Sequence, residues 1–281
     1  MSQETCPGEF GYDLAATRSI PCFTRFDLQI PKPGQLSPGS LWPGAFNLIH
    51  RATQLPIGGV TLGKSLVDKY ALLPDEIDRE SLKMVQACLP KGLSLGAEEH
   101  YVLCRIVRAE GDPGISHDVK FSPDAISAGL EALKSGENII TDVRMVEMGI
   151  SKLSLKNAGL QTRCVIDTKE VADRALREGT TRSIASLREL APYLGNSVVA
   201  IGNAPTALLA LLDMIDNEDI PKPSLIIGMP VGFVACPESK EELTKRSTPY
   251  ISILGRRGGS SAAAATVNAL LDLMKSQQEA L

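Results

Sequence analysis

Four short stretches of the chain place small residues, hydroxyls and arginines just ahead of helical patterns. They are Gly202-Asn203-Ala204-Pro205-Thr206, the run GMPVGFVACPESK from Gly228 to Lys240, Gly255-Arg256-Arg257-Gly258-Gly259-Ser260, and Gly179-Thr180-Thr181-Arg182-Ser183. The first backbone N–H groups of a helix have no acceptor inside it, and glycine lets a ligand approach them closely. Such ends attract carboxylates and phosphates. In SVVAIGNAPTALLALLDMI, Gly202 reads as a strand end, Asn203 as an N-cap and Pro205 as the first helical residue. An arginine in a first turn opposes the helix dipole, so Arg182 calls for a functional reason. Together the loops predict binding of a molecule that carries several anionic groups.

Other chemistries lack their residues. No GxGxxG follows the first strand. The three histidines, His50, His100 and His117, have no metal-ligand spacing, so neither a Ser–His–Asp set nor a metal site is expected. The six cysteines include no CxxC pair, which argues for reduced thiols rather than a disulfide framework. Glu98 and Glu99 read as a solvated helix face. A net charge of −4 offers no footprint for nucleic acid or an anionic membrane surface. No apolar run approaches the roughly 20 residues of a membrane span. The opening MSQETCPGEF has no basic n-region, so a cytoplasmic location is expected.

The elements that must hold these loops begin near residue 75. Residues 1–74, with IPKPGQLSPGSLWPGAF, read as an irregular Pro/Gly-rich extension, whose one tryptophan, Trp42, is either a packing anchor or incidental. Residues 75–281 form the expected α/β domain. DEIDRESLKMVQACL and AEEHYVLCRIVRAEG carry apolar residues at helical spacing. FSPDAISAGLEALKSG does the same, with Ser122 as the expected N-cap and Pro123 at the first helical position. Strand-length runs follow at NIITD, TRCVID, SVVAIG, SLIIGM and YISILG, alternating with helical patterns. That alternation implies a three-layer α/β/α architecture around a mainly parallel sheet. Ligands of such sheets bind outside the carboxyl ends of the strands, where the four loops fall.

These stretches resemble the precorrin-8X methylmutase family of cobalamin biosynthesis. The resemblance is carried by FSPD (121–124), TDVRMVEMGI (141–150), GTTRS (179–183), AIGNAPTALL (200–209), GMPVGFVACPESK (228–240) and GRRGGSSAAAATVNAL (255–270). It implies a homodimeric enzyme without a cofactor or metal, which shifts a methyl group from C-11 to C-12 of a corrin precursor and yields hydrogenobyrinate or its cobalt form. It also implies that Ser81 and Arg182 contact the substrate, a tetrapyrrole fringed with carboxylates. Further substrate contacts are expected at Thr181, Ser183, Asn203, Thr206, Met229, Arg256, Gly259 and Ser260. The family's histidine, thirteen residues before the Phe of FSP, is Arg108 here. Histidine lends a proton near neutral pH; arginine, with a pKa above about 12, donates hydrogen bonds and stabilises negative charge. Three readings stand: a methylmutase that tolerates Arg108 or uses it as a hydrogen-bond donor, a diverged relative that binds a tetrapyrrole without this isomerisation, or a structural or partner-binding protein that has lost the pocket, against which the intact Gly-rich loops argue. His117, His100, Glu110 and Asp112 are the other proton-bearing groups near Arg108 in sequence.

Overall fold

The computed structural model describes residue 66, residues 74–217 and residues 220–279. The chain divides into units 1–65 and 66–281, and the fold is that of the second. The extension expected over residues 1–74, Trp42 included, lies outside the described residues apart from residues 66 and 74.

Two helices, α1 (Pro74–Cys88) and α2 (Ala97–Glu110), precede a 3₁₀ turn (Pro113–His117) and β1 (Val119–Phe121). There follow α3 (Ala125–Lys134), β2 (Ile139–Thr141), α4 (Arg144–Gly149), α5 (Lys152–Ala158) and β3 (Thr162–Arg163). Next come α6 (Lys169–Glu178), α7 (Arg182–Leu190), β4 (Val198–Ile201) and α8 (Pro205–Asn217). The chain continues through β5 (Leu225–Gly228), α9 (Cys236–Thr244), β6 (Tyr250–Ile253) and α10 (Ser260–Glu279). The sheet order is β1-β6-β5-β4-β2-β3, and only the β1–β6 pair is antiparallel.

Every residue of β4 and β5 is buried, which requires cover on both faces. Alternation along the strands divides the core accordingly. Val198, Ala200, Leu225, Ile227, Ile251 and Ile253 face α2, α3 and α10. Val199, Ile201 and Ile226 face α7, α8 and α9. The three-layer α/β/α reading of the sequence is therefore the observed architecture.

Three local expectations are corrected. The helix after FSPD begins at Ala125, not at Pro123, and Asp124 precedes it at φ 60°. Ser122 is not its cap: its hydroxyl accepts from Tyr250 N at 2.7 Å, tying this turn to β6. TRCVID contributes only the two-residue β3, because Thr168 already caps α6 through Val171 N. Helices α4 and α5 went unread, since six and seven residues are too short for a periodic signal.

Strand β3 pairs on one side of β2, and the chain then crosses to β4 on the other. The gap between the carboxyl ends of β2 and β4 is thus a topological switch point. Gly202 sits there so tightly that a Cβ would lie 2.7 Å from Val146 Cγ2 and 2.8 Å from Ser260 Cα. The second neighbour is backbone and cannot rotate away. Gly202→Ala is expected to cost about 1–3 kcal/mol, seen as a lower thermal midpoint; an unchanged midpoint would show that α10 shifts freely.

Candidate active site at the carboxyl end of the sheet

The turn after β4 is occupied from within the protein. Asp142, the residue after β2, is fully buried, and its carboxylate accepts from Gly202 N at 3.0 Å, Asn203 N at 2.9 Å and Ala204 N at 2.9 Å. The anion suited to these amides is therefore a side chain of the chain itself, which corrects the reading of this turn as an open anion site. Asn203 is not the residue before the helix either; Ala204 is, and Pro205 does open α8. Burial pushes the Asp142 carboxyl up from its ordinary value, while the three N–H donors pull it down.

The next two loops interlock above this turn. Met229 N donates to Ile201 O at 2.8 Å, and Gly259 N donates to Met229 O at 2.9 Å. Gly258 has φ 132°, and a Cβ there would lie 2.6 Å from Met229 O, so only glycine lets the loops approach this closely. Met229 and Ser260 are buried, whereas Asn203 and Arg256 are exposed. Arg257 is engaged by Asp112, by Gly114 O at 2.9 Å and by Asp118 at 2.7 Å. Arg256 has no carboxylate partner among the described residues and lies over the Phe233 ring, 5.2 Å from its centroid.

Helix α2 delivers Arg108 to the same end. It runs antiparallel to α10, with Tyr101 Oη donating to Asp272 at 3.1 Å far from the site and Ser261 Oγ donating to Glu110 at 2.6 Å beside it. Gly111, at φ 66°, ends α2 by donating to Val107 O. Arg108 donates to Asp78 on α1, which also accepts from Arg105 at 3.4 Å. Ser81 stands three residues after Asp78, on the same side of α1, half-buried and without a side-chain hydrogen bond among the described residues.

Helix α7 packs beside α8 and leads through a 3₁₀ turn into the start of β4, so its first turn points toward the carboxyl end of the sheet. Arg182 is exposed there, with no hydrogen bond or ion pair among the described residues. Thr181 caps α7 by accepting from Ile184 N at 3.3 Å, and Ser183 and Thr206 are half-buried. No hydrogen bond among the described residues joins the α7 turn to the Arg108 or Arg256 groups.

The other proton-bearing groups are engaged or distant. Glu110 accepts from Ser261, and Asp112 from Gly114 N at 2.8 Å and Arg257. His100 contacts Cys104 at 3.7 Å and lies about 12 Å along α2 from Arg108. Exposed His117 lines a depression of about 420 Å³ with Glu99 and Leu103, on the far half of α2. Among the described residues no cluster of His, Cys, Asp or Glu is placed to hold a metal ion, and no helix is long and apolar enough to cross a membrane. Sequence reasoning missed Asp142, Asp78, Phe233 and Lys240. Asp142 in TDVRM was within view as an acid directly after a strand.

A three-layer fold with arginines, hydroxyls and interlocked glycine loops at the carboxyl end of its sheet defines an α/β enzyme of small-molecule chemistry. The precorrin-8X methylmutase family model matches residues 76–273, and the chain belongs to that family. It is 39% identical over 198 residues to the cobalt-precorrin-8 methylmutase of Priestia megaterium, covering 70% of this chain and 87% of the relative. It is 46% identical over 168 residues to the precorrin-8X methylmutase of Pseudomonas aeruginosa, covering 59% and 80%. The crystal structure of precorrin-8X methyl mutase from Thermus thermophilus superposes with a TM-score of 0.67 at 34% identity, covering 72% of this chain and 97% of that one. The chain is accordingly a methyl-shifting isomerase of cobalamin biosynthesis.

Removing the Asp142 carboxylate leaves three N–H groups without their acceptor. Asp142→Ala should lower the unfolding free energy by about 3 kcal/mol or more, and Asp142→Asn, which keeps one acceptor oxygen, by less. Urea denaturation measures both; losses under about 1 kcal/mol for Asp142→Ala would mean that water replaces the carboxylate.

Proposed function

We propose that the chain converts precorrin-8X or its cobalt form by moving a methyl group from C-11 to C-12, with Arg108 as the hydrogen-bond donor at the reacting ring. What carries this reading is the convergence of Arg108, Arg182 and Arg256 on one end of the sheet, in a protein whose net charge is −4. A macrocycle fringed with acetates and propionates is met there by separate cations on both faces of the sheet. The shift is intramolecular, so it consumes no proton, electron or co-substrate. The protein's task is to hold the ring and polarise it as the methyl migrates.

Arg108 supplies polarisation without releasing a proton. Asp78 holds its guanidinium toward α1, where Ser81 stands one turn further along with no side-chain hydrogen bond among the described residues. A histidine that lends its proton to the ring must first carry that proton, and this requirement gives the rate a falling limb near pH 6.5. Arginine has no such limb.

The chain is expected to convert precorrin-8 with a rate level from about pH 5.5 to 8. Arg108→His should be active but lose rate as pH rises through about 6.5. The visible spectrum follows both. A falling limb in the wild type would remove Arg108 from this role, and no conversion at all would overturn the substrate.

We further propose a homodimer. Met145 and Met148 on α4 and Leu153 on α5 stand exposed on consecutive helices, an apolar surface suited to a second copy. Sedimentation at micromolar concentration should give twice the mass of the chain; a monomer would overturn this.

A further inference from the structure

The loop between β5 and α9 turns its apolar residues outward. Phe233 is 79% exposed and Val234 87% exposed, with Val231 beside them at 45%. The backbone beneath is tied down. Gly232 N donates to Arg256 O at 3.2 Å, and Cys236 Sγ donates to Pro230 O at 3.1 Å. The loop therefore presents Phe233 and Val234 from a fixed base.

The facing loop is held from below by an unusual group. Lys240 is completely buried, and its Nζ donates to Gly255 O at 3.0 Å and Arg257 O at 2.6 Å. Burial pushes this amine below the usual lysine range. Taking an ammonium out of water is costly, and here its hydrogen bonds go to backbone carbonyls, with Cys236 and the Asp118 carboxylate nearby. Those two carbonyls flank Arg256. With Arg257 committed to Asp112, Asp118 and Gly114, Arg256 is the loop's cation without a carboxylate partner among the described residues, and it lies over the face of Phe233.

We propose that Phe233, Val234 and Arg256 form a platform for one edge of the tetrapyrrole, the apolar side chains meeting ring carbons and the guanidinium taking a peripheral carboxylate. Lys240 is the positioning residue beneath it. The platform rests on the substrate reading given above. Its occupant follows from charge and shape: exposed apolar surface beside a cation without a carboxylate partner among the described residues matches an amphiphilic ring with anionic substituents. The same loop continues into the buried Met229, so the platform is contiguous with the interlocked glycine turns.

Absorption titration of the full chain with hydrogenobyrinate tests this, alongside Phe233→Ala, Arg256→Ala and Lys240→Met, with sedimentation of each. Phe233→Ala and Arg256→Ala should each weaken binding about tenfold, with the sedimenting mass unchanged. Lys240→Met should weaken binding while its thermal midpoint stays level or rises, since an apolar replacement relieves the buried charge. Wild-type affinity in Phe233→Ala would overturn the platform and leave the substrate reading intact. A change of sedimenting mass in Phe233→Ala would place the loop at a subunit contact and overturn it as well. A fallen midpoint in Lys240→Met would reduce that residue to a structural part. Wild-type protein that neither binds nor converts would overturn the substrate reading, and the platform with it.

Discussion

One carboxylate organises the working end of this protein. Asp142 reaches from the end of β2 across the switch point and takes three successive amides of the turn after β4. In many open α/β sheets that gap admits a ligand. Here it is filled, and Gly202 lets α10 close over it against Val146 and Ser260. The loops after β5 and β6 rise above this filled crevice, and on the function proposed above it is their rim that meets the substrate.

A buried cation complements the buried anion. Asp142 collects backbone N–H groups, and Lys240 collects the carbonyls of Gly255 and Arg257. Each replaces the solvent that a tight turn excludes, and each fixes a main-chain segment bearing an exposed side chain, Asn203 in one case and Arg256 in the other. Arg108 is held differently, by Asp78 on a neighbouring helix. An ion pair only partly shielded from water stabilises little, so its effect is directional: it settles where the guanidinium points.

The sequence made the sheet legible because fully buried parallel strands are continuous apolar runs, and SVVAIG and SLIIGM could hardly be read otherwise. The glycine loops were equally plain, since Gly258 at φ 132° and Gly202 against Ser260 answer constraints that no other residue meets. The partners of those loops were not. An acid such as Asp142 looks the same in a string whether it binds solvent, substrate or three amides sixty residues away. Ser122 resembled a cap until a strand 128 residues distant claimed its hydroxyl. Charge pairing across long separations is a property of topology, and composition carries no trace of it.

Both edge strands of the sheet are short. Strand β1 has three residues and β3 only two, while of the inner strands β2 has three and β4, β5 and β6 each have four. Free ladders this short give another sheet almost nothing to pair with. Among the described residues, the surfaces left for a second copy are therefore those of helices and loops. If copies of the chain associate as proposed, a mutation that loosens such a contact would expose helix and loop surface rather than sticky sheet margins.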